Sequence, residues 1–289
     1  IAEADLILTL GSRFSDRVAL KPDQFGKKAK ILQVDIDKSE IGKNVAIADC
    51  IIGDCKDVLE ALIPMTEKAD HSQWIQIKKW NEERPMTVKE ANGKMNPQEI
   101  IEHLCDNTDK ETIFVTDVGQ HQMWAAQYVK QTMPRNFLSS GGLGTMGFGY
   151  GAAIGAQMGN PDKRVIHLTG DGSFHMNLNE ACTAVSNQLP IITVIFNNRV
   201  LGMVYQWQTA FYGERYSNTT PERKTDFVKL IEAFGGSGFR VNDMDELKEA
   251  YEKALKIQGP VWIDCNIAEC DKVLPMIPNG KTIDDMLFE

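Results

Sequence analysis

Two short apolar runs constrain this chain more than anything else in it. Residues 164–169 (Arg-Val-Ile-His-Leu-Thr) and 191–196 (Ile-Ile-Thr-Val-Ile-Phe) have strand length and are rich in β-branched side chains. The first delivers Gly170-Asp171-Gly172-Ser173 and the second Asn197-Asn198. Residues 179–188 between them carry helix formers and stop short of Pro190, so the unit reads as strand, helix, strand. A right-handed crossover of that kind puts both strand ends on one rim of a parallel sheet, where open α/β sheets bind ligands.

The residue types on that rim suit a metal and a phosphate. Asp171 offers a hard anionic oxygen and Asn198 a hard neutral one, the donors Mg²⁺ prefers. Gly170 and Gly172 let backbone approach a diphosphate closely, and the Ser173 hydroxyl and amide can donate to it. Alone, Gly-Asp-Gly is a turn and Asn-Asn a helix cap; the strand context and the 27-residue separation make the combination specific. It resembles the signature of thiamine diphosphate (ThDP) enzymes. In that family a backbone carbonyl two residues past the Asn completes the protein ligands, which here is Val200.

At 289 residues the length suggests about two domains, and a 43% hydrophobic content suffices for ordinary cores. A net charge of −9 with no basic run argues against nucleic acid and anionic membranes, and for a soluble cytoplasmic enzyme. The six cysteines lack metal-ligand spacing and read as reduced core thiols. No apolar run reaches membrane-span length. The chain starts without Met and enters a strand directly, so it is expected to be a piece of a longer protein.

Residues 1–65 read as three strands (5–10, 30–34 and 50–52), each ending in a Gly/Asp/Arg loop, then a helix over 54–62. This is the pattern of a truncated nucleotide-binding α/β domain, whose strand-end acids can hold ribose hydroxyls or cap helices. Residues 66–92 form a polar linker whose helix, 71–84, would pack Trp74, Ile77 and Trp80 as a stripe. The second domain, 93–289, opens on the N-cap Asn96 and Pro97. It continues with a strand over 112–116, which ends in Asp117. Six glycines within 141–151 then lead into an Ala/Gly-rich helix. Residues 203–207 read equally as a helix packed on the sheet or a substrate-facing wall. A helix over 227–234 capped by Asp226, a strand over 239–241, a helix over 244–257 and a strand over 261–265 follow. The proline-broken tail, 274–280, is a flexible end or a lid. The fold class is α/β: a parallel sheet flanked by helices, preceded by the remnant of a Rossmann-like domain, which the family resemblance that follows would make an FAD-binding middle domain.

Residues 117–124 (Asp-Val-Gly-Gln-His-Gln-Met-Trp), the 141–151 glycine run, Gly170-Asp171-Gly172-Ser173-Phe174 and residues 202–208 (Gly-Met-Val-Tyr-Gln-Trp-Gln) together resemble the acetohydroxyacid synthase large-subunit family. The likeness extends over residues 11–17, 35–37 and 274–278 and covers essentially the whole chain, as the second half of such a subunit. It implies decarboxylation of pyruvate on ThDP and Mg²⁺, and addition of the two-carbon unit to a second 2-ketoacid, pyruvate or 2-ketobutyrate. It implies that Gly119, Gln120, His121, Gly144, Gly170, Gly172 and Ser173 hold the cofactor, with Asp171, Asn198 and Val200 on the metal. Met146 would wedge under the cofactor to keep it bent, although a core Met is the plainer reading. Met176 and Met203 would line the pocket, and Trp207 would favour 2-ketobutyrate. Arg13, Asp35 and Asp54 would belong to a non-redox FAD site; Ser15 stands where an Asp is common, and Asn198-Arg199-Val200 replaces a more acidic run. The resemblance further implies a homodimer or homotetramer and a regulatory small subunit. The family's activating Glu lies in an amino-terminal domain, so residues 1–289 alone are expected to turn over nothing. The alternatives are a sister ThDP enzyme such as pyruvate oxidase, and a non-catalytic cofactor-binding module.

Overall fold

The computed structural model describes residues 1–70, 72–83, 85–86 and 95–288. They fall into two compact units, one comprising Ile1–Met86 with Leu274–Glu289 and the other Thr87–Val273.

The first unit is built on three parallel strands, β1 (Leu6–Leu10), β2 (Lys30–Asp35) and β3 (Asp49–Ile52), in that spatial order. Helices α1 (Asp16–Ala19), α2 (Cys55–Leu62) and α3 (Ile75–Glu83) complete it. Because the strands are parallel, the loops carrying Arg13, Asp37 and Asp54 leave from one edge. A small core of Phe14, Ala19, Ile31 and Val45 lies beneath. The stripe expected on α3 is not packed: Trp74, Ile77 and Trp80 are 58%, 44% and 46% exposed. Lys78, Lys79, Glu82 and Glu83 make most of that helix polar, and three apolar side chains do not bury it. Positions 71 and 84 lie outside the described residues. The tail joins this unit rather than extending the second: Met276 and Leu287 bond backbone to backbone, and Ile277 and Ile283 line a cavity of about 400 Å³ with Val18, Leu20 and Phe25.

The second unit holds β4 (Ile113–Thr116), β5 (Phe137–Leu138), β6 (Val165–Gly170), β7 (Ile192–Asn197), β8 (Ser237–Val241) and β9 (Val261–Asn266). All pair in parallel, in the order β5-β4-β6-β7-β9-β8. Helices α4 (Pro97–Asp106), α5 (Gln120–Tyr128), α6 (Phe148–Gly159), α7 (Asp171–Phe174), α8 (Ala181–Ser186), α9 (Gly202–Phe211), α10 (Phe227–Phe234) and α11 (Met244–Ala254) connect the strands. Alternate side chains feed two apolar layers. Ile166, Leu168, Val194 and Ile263 pack with Leu104, Trp124 and Tyr251; Val165, Ile195 and Trp262 pack with Tyr150, Phe174 and Phe227. Burial on both faces is why these strands read as unbroken apolar runs. Each such side chain contributes roughly 1.5–3 kcal/mol.

Some expected helices are shorter than their sequence suggested. Helix α8 ends at Ser186, because Gln188 turns the chain at φ 50° ahead of Pro190, and α11 ends at Ala254. Among the described residues no helix is long and apolar enough to cross a membrane.

Candidate cofactor and metal site

Strands β6 and β7 are neighbours and their register pairs Gly170 with Phe196, so they deliver Asp171 and Asn197-Asn198 side by side. Asp171 opens the single-turn helix α7, where the backbone amides of Gly172 and Ser173 have no partner further back in the helix. Its carboxylate is only 4% exposed and pairs with Arg223, Nη1 to Oδ2, at 3.2 Å. Burial raises its pKa, and the Arg223 charge opposes that rise. The Asn198 amide oxygen accepts from the Val200 backbone N–H at 3.2 Å and keeps a second lone pair. The Asn198 amide nitrogen donates to Gln120 Oε1 at 3.2 Å.

Gln120 is buried, and its Nε2 donates to Gln206 Oε1 at 2.9 Å and to the Asp271 carbonyl at 2.8 Å. Its amide is therefore committed internally and orients Asn198. This junction is tight enough to require Gly202: a Cβ there would stand 1.9 Å from Gln120 Oε1. Gly170 is constrained in the same way by His121, whose Nδ1 would be 2.8 Å from an added Cβ.

A second cluster forms where β4 ends. Asp117 Oδ1 accepts from Ser173 Oγ at 2.5 Å, from Gly147 N at 2.8 Å and from Val118 N at 3.0 Å. The Ser173 hydroxyl expected on the diphosphate is thus spent on Asp117, a buried carboxylate that needs donors. Asp117 in turn ties the 141–151 loop, through Gly147, to the strand rim. His167 Nε2 lies 4.0 Å from Asp117 Oδ2, but burial pushes the pKa of His167, and of His121, down to about 4. Both rings are neutral near pH 7, so the His167–Asp117 approach is not an ion pair. His121 Nε2 is buried with no hydrogen-bond partner.

Beyond α9, Met203 and Trp207 line a cavity of about 650 Å³ with Val204, Gln208, Tyr212 and Arg215. The helix reading of residues 203–207 is what the structure shows: α9 buries Gln206, and its other side lines this cavity. Met146 is half-buried and Met176 exposed, and Gly144 takes φ 65°.

The family model for the C-terminal TPP-binding domain of thiamine pyrophosphate enzymes matches residues 117–265, more than half of the chain. The chain belongs to the thiamine pyrophosphate enzyme family. The model for the central domain of the same enzymes matches residues 1–62. Among curated relatives, the acetolactate synthase large subunit of Porphyra purpurea is 42% identical over 99% of this chain and 50% of its own length. That of Cyanidium caldarium is 43% identical over 99% and 50%, and acetolactate synthase 1, chloroplastic, of Zea mays 39% identical over 100% and 48%. The chain spans about half the length of the curated relatives it matches.

The donor set fits what a thiamine pyrophosphate enzyme must hold. One carboxylate, one amide oxygen and a backbone carbonyl are hard oxygen ligands, and the remaining positions of an octahedral Mg²⁺ go to water and phosphate. Among the described residues no cluster of three or more His, Cys, Asp or Glu could hold a metal, and the set on this rim is a mixed one. The unpartnered His121 nitrogen and the Ser173 amide at the head of α7 are buried polar groups that a ligand on this rim would satisfy.

Sequence reasoning quoted Asp117 within a motif without assigning it a task, although its place at a strand end was the same signal that singled out Asp171. Gln206 was likewise quoted within a motif but given no task, and Arg223 and Asp271 carried no signal. In the first unit, Asp54 caps α2 through Lys56 N and Asp35 accepts from Asp37 N at 2.9 Å, while Arg13 is exposed. Both acids therefore perform local backbone duties, one of the two readings the sequence left open, and nothing in that unit's geometry is specific to a flavin.

Proposed function

We propose that the protein catalyses the acetolactate synthase reaction: pyruvate loses CO₂ and its two-carbon unit joins a second 2-ketoacid. Pyruvate as acceptor gives 2-acetolactate, and 2-ketobutyrate gives 2-aceto-2-hydroxybutyrate. The observation that carries this reading is 36–43% identity to acetolactate synthases along 99–100% of the chain. When bound, ThDP supplies the electron sink that lets a 2-ketoacid decarboxylate.

The chain's own residues bind and orient. Asp171, Asn198 and the Val200 carbonyl hold Mg²⁺, with Gln120 keeping the Asn198 amide oxygen turned outward. The Ser173 amide at the head of α7 would receive the diphosphate, with the backbone of Gly119, Gly144, Gly170 and Gly172 around it, and Gly119 and Gly170 make room for the His121 ring. His121, neutral at working pH, donates a ring N–H to the Asp117 backbone and meets the ligand without a charge. Met146 would pack beneath ThDP, Met176 and Met203 would line its approach, and Trp207, which lines the cavity beside α9, would narrow the acceptor pocket in favour of 2-ketobutyrate. The edge carrying Arg13, Asp35 and Asp54 holds FAD in a structural role. Relatives named as large subunits support a companion regulatory subunit and a homodimer or homotetramer, and the acidic composition supports a cytosolic setting.

The test supplies a polypeptide containing these residues with ThDP, Mg²⁺, FAD and pyruvate. Acetolactate is expected, with acetohydroxybutyrate favoured once 2-ketobutyrate is added. Reduction of an artificial electron acceptor without acetolactate would instead identify a pyruvate oxidase.

A further inference from the structure

Arg223 reaches Asp171 from 52 residues away, on the irregular segment between α9 and α10. Its guanidinium also lies over the Gly170-Asp171-Gly172 turn: a Cβ on Gly172 would stand 3.4 Å from Arg223 Nη1. The segment is fastened on both sides of this arginine. At its start, Tyr216 stacks on Tyr205 at 4.4 Å, and Gln208 bonds Ser217 and Thr219. At its end the Thr225 hydroxyl contacts His175 Nε2 at 2.7 Å, and His175 Nδ1 donates to the Asp171 carbonyl at 2.5 Å. Arg223, the Thr225–His175 link and Asp171 share a cavity of about 370 Å³, which gives the guanidinium room to turn.

A buried carboxylate without a counter-charge is strongly disfavoured. In the metal-free chain Arg223 provides that charge. A divalent ion on the same carboxylate would face the guanidinium at close range, and like charges in a partly buried site repel. We propose that Arg223 is the placeholder cation of this rim: it neutralises Asp171 until the metal arrives, and metal loading turns its guanidinium off the carboxylate, through that cavity and out toward solvent, while the segment stays fastened. This rests on the reading of Asp171 as a metal ligand.

The probe is Mn²⁺ in the presence of ThDP, followed by the loss of the free-ion EPR signal, on the unaltered chain and on R223Q, R223K and D171N. Thermal unfolding confirms that each variant is folded. R223Q removes the competing cation and is expected to bind Mn²⁺ about fivefold tighter, the scale of a partly exposed ion pair. R223K should stay near the unaltered value. Trypsin should cut after Arg223 faster in the unaltered chain once Mn²⁺ and ThDP are present. Equal or weaker binding by R223Q, with D171N still abolishing it, overturns the placeholder and leaves the metal site standing. Mn²⁺ binding that D171N leaves unchanged, or none in any chain, removes the metal-site reading and the placeholder with it.

Discussion

His121 and His167 are the two buried rings closest to the rim, and each is held neutral by desolvation. Their folded pKa values, about 4, lie below the ordinary value of 6.5, so between those limits the unfolded chain binds more protons. Stability they contribute is therefore complete above about pH 6.5 and is lost as pH falls toward 4. Urea midpoints of the metal-free chain should drop across that window and the drop should shrink in H167Q; a flat profile would contradict neutral burial. Asp117 is a second residue-scale case. Asp117→Ala leaves the Ser173 hydroxyl and the Gly147 and Val118 amides without the oxygen that accepts from all three, at a cost of about 1–3 kcal/mol. Denaturant unfolding should record that loss, and ThDP affinity should fall with it because Gly147 is no longer anchored. Asp171 and Asn198 were legible because a polar residue at the end of a buried strand is visible in sequence. Arg223 was not, since its contact depends on the path of an irregular segment.

The strands of the larger sheet were the easiest elements to read, because burial on both faces leaves continuous apolar runs such as residues 191–196. Caps were equally plain, and Asn96, Asp226 and Asp243 each accept from the first turn of their helices. Helix α5 went unanticipated for a physical reason: it buries Gln120 and His121, so no apolar stripe marks it. The junction of α9 with α5 yields a sharp prediction. Gly202→Ala would drive a methyl into Gln120 Oε1, and overpacking of this kind costs about 1–3 kcal/mol. Because Gln120 orients Asn198, the same change should weaken Mg²⁺-dependent ThDP binding, whereas Ala at Gly155, where an added Cβ meets nothing within 4 Å, should alter neither. Equal behaviour of the two variants would rule out the Gln120–Asn198 link.

At the scale of the molecule the two units differ in how much they bury. Among the described residues the first rests on five buried apolar side chains, Phe14, Ala19, Ile31, Val34 and Val45, and leaves Leu6, Leu8 and Leu10 of β1 exposed, whereas the second encloses two extended layers. Its amides should accordingly exchange first: hydrogen exchange is expected to label β1 and β2 well before β6, β7 and β9, and simultaneous labelling would show a single cooperative unit. The tail was assigned to the wrong neighbour in sequence because its prolines hide any periodicity, and its partners, Val18, Leu20 and Phe25, lie some 250 residues away. The placement of ThDP on the Gly170–Asn198 rim is tested most directly by calorimetric titration of ThDP into the unaltered chain and D171A, with Mg²⁺ and then with EDTA. Binding that requires Mg²⁺ and disappears in D171A is the predicted result. Binding that persists in EDTA or in D171A, or a folded chain that binds no ThDP at all, would contradict it.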